Sequence, residues 1–227
     1  MNLILFLLSC AHTPPPSMLM LQAHSSIMVG ESGLFCDKTN PQDCQVVFAA
    51  SKGTATRIRW NKNYYWLTAG HVCNRIVTNK PETVNKVVFI DVGGTGKREM
   101  PSVMRYDEEK DLCILPADKG PYRQISFAMP QNGEEVSSIA YPGGVFFKDI
   151  KPVYEGRWAG VAEGKCIVTV PVAPGSSGAA ILDKTGKVVS VISAVMESFN
   201  HFTLTTCLAD VRGFLKQSTP LPTASNQ

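Results

Sequence analysis

The chain has 227 residues, of which 44% are hydrophobic and 18% are charged, and its formal net charge is +3. This balance is typical of a globular protein with room for one large β domain or two small ones. The lysines and arginines form no basic block, so the sequence gives no sign of a nucleic-acid surface. The sequence also contains no run of 18 apolar residues, which excludes a membrane-spanning helix.

The first ten residues, MNLILFLLSC, form a candidate signal segment. An apolar run from Leu3 to Leu8 ends at Ser9-Cys10, and a proline-rich stretch follows. These residues loosely resemble a bacterial lipoprotein signal, in which the chain is cut before a cysteine that then carries lipid. We expect residues 1–10 to direct export, with or without lipid on Cys10, which is the candidate membrane tether. The short apolar core and the missing basic residue leave a plain apolar N-terminus as the alternative.

Six cysteines follow Cys10, an even number that suits disulfides in an exported protein. Cys36 and Cys44 flank the turn-like stretch DKTNPQD and are the candidate disulfide pair. Cys113 and Cys166 lie in apolar strand contexts, which are equally compatible with buried thiols. A zinc site would need a second histidine near the cysteines, and the chain has only His12, His24, His71 and His201, so we expect no metal site and no cofactor.

From residue 45 onwards, short β segments alternate with turn signals such as NKN, QNG, PGG and DKTG. The one convincing helix is LADVRGFLKQ near the end, in which the apolar residues share a face. We predict twelve strands: Val46–Ala50, Gly53–Trp60, Tyr64–Thr68, Val87–Asp91, Arg98–Tyr106, Leu112–Leu115, Glu134–Tyr141, Val153–Val161, Cys166–Val170, Ala179–Leu182, Val188–Val195 and Phe202–Thr206.

Twelve strands and a terminal helix predict an all-β fold of two six-stranded antiparallel β-barrels with a short C-terminal helix. The expected domains after the signal segment are a spacer and N-terminal extension over 11–44, a first barrel over 45–116, a linker over 117–133, a second barrel with the helix over 134–217, and a tail over 218–227.

Three stretches carry residue types that suit a catalytic site. GSSGAA at 175–180 interrupts a strand-rich region; a plain turn explains this, and so does a nucleophile at Ser177 with glycines that allow close approach. In WLTAGHVC, His71 follows small residues at the end of a strand. In YDEEKDLCIL, Asp111 opens an apolar strand, where a half-buried carboxylate can fix the tautomer of an imidazole.

In this order, TAGH ending at His71, DLCIL beginning at Asp111 and GSSG around Ser177 resemble the trypsin-like (chymotrypsin-fold) serine peptidases. Among these, the resemblance is strongest to the Deg/HtrA-type protease domain, and it covers residues 50–212. It implies a serine endopeptidase in which Ser177 forms the acyl-enzyme, His71 transfers the proton and Asp111 orients His71. It also implies an oxyanion hole made by the backbone N–H groups of Gly175 and Ser177.

Departures from the family pattern refine this expectation. Ser176 stands where digestive relatives carry an aspartate, so we expect no trypsin-type zymogen switch. Deg-type enzymes usually carry a PDZ module after the peptidase domain, and we expect none here. No acidic residue lies between Cys166 and Ser177, so we expect an apolar pocket for small or medium side chains preceding the scissile bond (P1). The expected pocket residues are Pro171, Val172, Ser193, Ala194 and Val195.

The expected partners are protein or peptide substrates, with no nucleic acid, and the expected location is outside the cytoplasm. One alternative function is a trypsin-fold binding module that has lost catalysis. A third hypothesis is an esterase, but the sequence lacks the strand–elbow–helix context of the G-x-S-x-G enzymes. The sequence leaves the oligomeric state open.

Overall fold

The computed structural model describes residues 22–36, 44–77, 83–93, 95–142, 152–195 and 201–218. No helix in these ranges is long and apolar enough to cross a membrane. The described strands are β1 His24–Cys36, β2 Cys44–Trp60, β3 Asn63–Ala69, β4 Thr83–Asp91, β5 Arg98–Glu99, β6 Arg105–Asp107, β7 Leu112–Pro116, β8 Glu135–Ile139, β9 Val153–Ala162, β10 Lys165–Val168, β11 Ala180–Asp183, β12 Val188–Val195 and β13 Thr203–Cys207. The described helices are α1 Gly70–Val77 and α2 Leu208–Gln217.

The first half of the described chain is an antiparallel sheet of seven strands in the order β5-β4-β1-β2-β3-β7-β6. Alternate side chains of these strands point inward and bury an apolar cluster. The cluster includes Ile27, Val29, Ala55, Trp66, Val88, Ile90, Cys113 and Leu115.

The second half is a closed antiparallel barrel of six strands in the order β10-β13-β12-β11-β8-β9. Its interior contains Val136, Trp158, Cys166, Val168, Ala179, Ile181, Val189 and Ile192. Closure leaves no free sheet edge within this barrel, so its backbone donors and acceptors pair between strands.

A further apolar cluster joins the two halves. It combines Ile58 and Ile114 of the first sheet with Ala180 and Val188 of the second barrel. Helix α2 covers this junction with its buried face, formed by Leu208, Val211, Phe214 and Leu215. The two halves are therefore held together by a common core.

The predicted fold class is confirmed, because the protein is an all-β molecule with two β layers and a short C-terminal helix. Several details differ in the first half. The predicted strand Arg98–Tyr106 divides into β5 and β6, whereas the predicted strands Val46–Ala50 and Gly53–Trp60 are one strand, β2. With the additional strand β1, the first sheet has seven strands. Helix α1 was not predicted. It has only eight residues, GHVCNRIV, and contains His71.

The spacer that we expected over residues 11–44 is corrected for residues 24–36, which form strand β1. This strand lies inside the sheet, between β2 and β4. Its sequence reads as a polar spacer because His24, Ser25 and Glu31 interrupt the apolar pattern, yet all three side chains are buried. Burial of such groups requires hydrogen-bonding partners, and His24 has them in Thr56 and Arg123.

The expected linker, residues 117–133, crosses between the two halves in close contact with both. Parallel bridges join Ile58 to Arg123 and Ile125 to Val188. Backbone hydrogen bonds reinforce them, including Arg123 N–H to the Arg57 carbonyl at 2.8 Å. The segment is therefore bonded through its backbone to both halves.

Candidate active site

His71 lies at the junction of β3 and α1. Gly70 allows this junction, since a Cβ at that position would lie 2.9 Å from the Leu112 nitrogen and 3.0 Å from the Asp107 carbonyl oxygen. The chain can therefore pass directly over the turn that leads into β7. The His71 side chain is 48% exposed, so its imidazole ring is accessible from solvent.

Asp111 faces His71 from the turn between β6 and β7. It has a positive φ of 54°, a conformation that aspartate tolerates better than most residues. Its Oδ1 accepts hydrogen bonds from the backbone N–H of His71 at 2.7 Å and from His71 Nδ1 at 3.0 Å. Oδ2 also lies 3.0 Å from Nδ1 and accepts a hydrogen bond from the Ser193 hydroxyl.

These contacts determine the charge and the tautomer of the pair. Burial raises the pKa of Asp111, but the hydrogen bonds from His71 and Ser193 outweigh it and hold the pKa below its ordinary value of 3.8. Asp111 is therefore ionised at neutral pH and can only accept hydrogen bonds. Because Nδ1 must then carry the proton, Nε2 of a neutral His71 is left as a base.

Ser177 lies on a tight loop that enters strand β11. Gly175 and Gly178 adopt φ values of 98° and 86°, which other residues rarely adopt. Gly178 is also required by space, since a Cβ there would lie 2.1 Å from the Thr68 hydroxyl oxygen and 2.4 Å from the Thr54 carbonyl oxygen. The glycines thus seat the loop against the first sheet.

Contacts on both sides bring this loop to the His71–Asp111 pair. On one side, Gly178 N–H donates to the Ile192 carbonyl at 2.8 Å, and Ile192 is followed by Ser193, whose hydroxyl binds Asp111. On the other side, a Cβ at Gly53 would lie 2.8 Å from both the Ser177 carbonyl oxygen and a methyl of Val72, the residue after His71. Among the described residues, the Ser177 hydroxyl makes no hydrogen bond with His71.

The backbone N–H groups of the loop differ in their partners. Those of Ser176, Gly178 and Ala179 donate to the carbonyls of Ala173, Ile192 and Ser176, at 2.9, 2.8 and 3.0 Å. Those of Gly175 and Ser177 donate to no acceptor within the described ranges. The two N–H groups that the sequence assigned to an oxyanion hole are therefore the two that remain available on this loop.

The candidate pocket residues lie on either side of Thr203 in β13. Val195 pairs with Thr203, and the Thr203 hydroxyl donates to the Val170 carbonyl at 2.7 Å, directly before Pro171 and Val172. Pro171, Ala194 and Val195 are exposed, and Val172 packs partly against the barrel core.

Ser193, another expected pocket residue, is half-buried, and its hydroxyl donates to Asp111. The register of β12 against β13 shifts between Ile192 and Ala194, on either side of this residue. The role of Ser193 in the pocket stays a prediction.

The cysteines form disulfides that the sequence did not assign. Cys73 of α1 is bonded to Cys113 of β7, and Cys166 of β10 is bonded to Cys207 of β13. The buried-thiol interpretation of Cys113 and Cys166 is therefore wrong, because each lies opposite a partner that is distant in sequence. The first of these bonds ties helix α1, which contains His71, to strand β7, which begins at Leu112, just after Asp111.

The predicted pair Cys36 and Cys44 lies at the loop end of the β1–β2 hairpin, where the two residues are opposite each other in register. Cys44 is disulfide-bonded. Cys10, the candidate lipid site, lies outside the described residues. Within the described part of the chain, no three His, Cys, Asp or Glu side chains approach closely enough to hold a metal ion.

Buried threonines of the site were missed at the sequence level. Thr54 binds the Ser177 loop, Thr68 donates to the Thr54 carbonyl at 2.8 Å, and Thr206 donates to the Lys110 carbonyl at 2.8 Å beside Asp111. Threonine is common in strands, so its identity gave no signal. The one clue was that Thr68 lies in WLTAGHVC, three residues before His71.

Comparison with known families gives one match that covers more than half of the chain. The family model described as the trypsin-like peptidase domain matches residues 53–191. No curated protein sequence is significantly similar to the chain.

Solved structures of proteases are similar to this protein in fold. The active form of the Rv3671c protease from M. tuberculosis is 18% identical, with a TM-score of 0.61, and the match covers 84% of this chain and 79% of that chain. The HtrA-type protease AlgW with a decapeptide is 16% identical, with a TM-score of 0.65 over 88% of this chain and 65% of that chain. The serine endoprotease from Yersinia pestis is 16% identical, with a TM-score of 0.61 over 89% and 67%, respectively. At these identities the similarity shows the fold.

Proposed function

Because this chain belongs to the trypsin-like peptidase domain family, we propose that it is a serine endopeptidase with Ser177, His71 and Asp111 as its catalytic triad. The observation that carries the proposal is the His71–Asp111 pair, in which Nδ1 lies 3.0 Å from both carboxylate oxygens beside the loop of Ser177. An ionised carboxylate that fixes an exposed imidazole is what a hydroxyl nucleophile requires for activation.

In the proposed mechanism, Ser177 Oγ attacks the carbonyl carbon of the scissile peptide bond while His71 Nε2 takes the hydroxyl proton. The tetrahedral intermediate then collapses, the C–N bond breaks, and His71 gives the proton to the leaving amine. A water molecule then attacks the acyl-enzyme carbonyl while His71 takes its proton. The ester bond to Ser177 Oγ breaks, His71 returns the proton to Ser177, and the acid is released. Asp111 stays ionised throughout and stabilises the imidazolium of His71.

The available N–H groups of Gly175 and Ser177 support an oxyanion hole in this mechanism. A negative charge develops on the carbonyl oxygen during attack, and preorganised donors stabilise it without reorganising. Removing one such donor typically lowers turnover by about 10²–10³-fold. The absence of a Ser177–His71 hydrogen bond among the described residues agrees with this mechanism, since such bonds often tighten only in the substrate complex.

The proposed substrates are proteins or peptides with small or medium apolar P1 side chains. The expected pocket residues support this preference, because none of them carries a charge that would bind lysine or arginine. They are Pro171, Val172, Ser193, Ala194 and Val195. Ser176 at the position before the nucleophile supports an enzyme without a trypsin-type zymogen switch.

The proposed location is outside the cytoplasm, in the cell envelope or the medium. The two disulfides support it, since such bonds persist in oxidising compartments. Export through residues 1–10, a tether at Cys10 and a Cys36–Cys44 bond remain parts of the proposal. The domain boundaries given above also remain, except that β1 adds residues 24–36 to the first half.

Peptide hydrolysis by the purified protein tests the proposal. We expect cleavage after small or medium apolar residues of a peptide library, and a loss of kcat of about 10⁴-fold or more in Ser177→Ala and in His71→Ala. Ser102→Ala, at an exposed serine between β5 and β6, is the matched control and should retain activity. Hydrolysis that persists in Ser177→Ala would refute the assignment of the nucleophile.

A non-catalytic binding module is the alternative from another class of function. Folded wild-type protein that binds peptides of the library but cleaves none would support that alternative. Circular dichroism and a cooperative unfolding transition would establish that such a sample is folded.

A further inference from the structure

Thr54 of strand β2 makes four hydrogen bonds in the buried interface between the two halves. Its backbone N–H donates to the Ser177 carbonyl at 2.8 Å, and its hydroxyl donates to the Gly175 carbonyl at 2.9 Å. The same hydroxyl oxygen accepts from the Tyr141 N–H at 3.0 Å, and the Thr54 carbonyl accepts from the Thr68 hydroxyl at 2.8 Å. The Thr54 side chain is fully buried, so water does not compete for these bonds.

The chemistry of its partners fixes the direction of the Thr54 hydroxyl. The Gly175 carbonyl can only accept a hydrogen bond, and the Tyr141 N–H can only donate one. The hydroxyl therefore has one orientation that satisfies both groups. A side chain of the same shape without the oxygen would leave a donor and an acceptor unsatisfied in a buried site.

These bonds fix the peptide groups next to the two available N–H groups of the loop. The peptide between Gly175 and Ser176 is held by Thr54 at its carbonyl and by the Ala173 carbonyl at its N–H. The peptide after Ser177 is held by the Thr54 N–H at its carbonyl and by the Ile192 carbonyl at the Gly178 N–H. The N–H of Ser177 belongs to the peptide group between Ser176 and Ser177. Because the planar peptide groups before and after it are held in place, the direction of this N–H follows from theirs.

External support of this kind is needed because the loop does not determine its own conformation. Gly175 adopts a φ of 98°, and glycine has many alternative conformations of similar energy. The peptide groups on either side of Gly175 could therefore rotate if the Thr54 hydroxyl were absent.

We propose that Thr54 is a positioning residue of the peptidase, whose hydroxyl holds the Gly175–Ser177 loop in the conformation that stabilises the oxyanion. The inference rests on the proposed function and adds to it a residue that touches neither the substrate nor His71. Because Tyr141 lies in the second half of the chain and Thr54 in the first, the same hydroxyl makes the geometry of the loop depend on how the halves are docked.

Two substitutions at this position separate the hydroxyl from the shape of the side chain. We expect Thr54→Val to lower kcat for a cleaved peptide about 10- to 100-fold while KM changes less than about threefold, since the lost interaction acts in the transition state. Thr54→Ser keeps the hydroxyl and should restore kcat to within about threefold of the wild type.

Thr56→Val is the matched control for general destabilisation. Thr56 is buried on the same face of β2 and its hydroxyl oxygen accepts from the Ala180 N–H at 3.2 Å, but no hydrogen bond joins its side chain to residues 175–177 among the described residues. We expect it to lower the melting temperature about as much as Thr54→Val and to leave kcat within about threefold of the wild type.

The outcomes separate this inference from the proposed function. Equal losses of kcat in the two valine variants, or an unchanged kcat in folded Thr54→Val, would overturn the positioning role while the active wild type upholds the peptidase. A folded wild type without hydrolysis would overturn both. A kcat loss confined to Thr54→Val and rescued in Thr54→Ser would support the positioning role.

Discussion

At the scale of single residues, the site depends on the three hydrogen bonds that Asp111 accepts from His71 N–H, His71 Nδ1 and the Ser193 hydroxyl. They explain why a carboxylate that is only 15% exposed stays ionised, since burial alone would raise its pKa. Each donor also restricts the carboxylate in space. The charge that stabilises an imidazolium is therefore present before a substrate binds.

We predict that Asp111→Asn lowers kcat of peptide hydrolysis by about 10⁴-fold at neutral pH. The amide can donate to Nδ1, which favours the tautomer whose proton lies on Nε2 and so removes the base. Ser193→Ala, which keeps the carboxylate and removes one donor, should cost much less, about tenfold. Steady-state kinetics on both variants checks the order, and equal losses would contradict the role given to the carboxylate.

At the scale of elements, strand β2 shows what sequence patterns can and cannot predict. Alternation in TATRIRW predicted the strand correctly, but Gly53 was taken as its beginning, whereas β2 runs from Cys44 to Trp60. The glycine is needed for close approach, since a Cβ there would meet the Ser177 carbonyl oxygen and Val72 at 2.8 Å. Such a tertiary contact leaves no signature in local sequence.

Strand β1 and helix α1 were missed for related reasons. The buried side chains of His24 and Ser25 in β1 form hydrogen bonds with residues remote in sequence, as His24 does with Arg123 at 3.1 Å. The sequence pattern of β1 therefore appears solvent-exposed. Helix α1 is short, and the disulfide from Cys73 to Cys113 links it to β7. Helix α2, by contrast, was predicted with its observed bounds because its apolar face repeats with a helical period.

For the candidate site, the order of three motifs in the sequence indicated His71, Asp111 and the loop of Ser177, and their catalytic roles stay a proposal. The sequence could not identify the residues that hold them, because Thr54, Thr68 and Thr206 act through backbone carbonyls. A hydrogen bond from a threonine to a carbonyl places no constraint on the identity of its partner. The role of these threonines can be recognised only from the folded structure.

At the scale of the whole molecule, polar contacts and a shared apolar core join the halves. Tyr141 belongs to the second half and donates its hydroxyl to the His24 carbonyl of β1 at 3.0 Å. The side chain is fully buried, and burial raises the pKa of Tyr141 from 10.0 to about 12. Tyr141 is therefore neutral in the folded protein at neutral pH.

We predict from this pKa that stability falls as the pH rises from about 10 to 12. Over this range Tyr141 loses its proton in the unfolded chain but keeps it in the folded one, so the unfolded state is favoured progressively, by up to about 3 kcal/mol. Tyr141→Phe removes this contribution and should flatten the curve of unfolding free energy against pH, measured by urea denaturation.

In Tyr141→Phe the unfolding free energy will still depend partly on pH in this range, because burial also raises the pKa values of Tyr106 and Tyr154. At pH 8 the variant should be less stable by about 1 kcal/mol, the typical contribution of the lost hydrogen bond. A variant whose stability falls between pH 10 and 12 as steeply as that of the wild type would show that Tyr141 does not titrate in this way.

Covalent labelling with a fluorophosphonate tests the nucleophile most directly, because an activated serine displaces fluoride and forms a stable phosphonate ester. Mass spectrometry of the digested protein locates the adduct. We predict a single adduct on Ser177 in the wild type, and none in His71→Ala although its Ser177 is intact. An adduct on another residue, equal labelling of Ser177 without His71, or no labelling of folded wild-type protein would contradict the proposed triad.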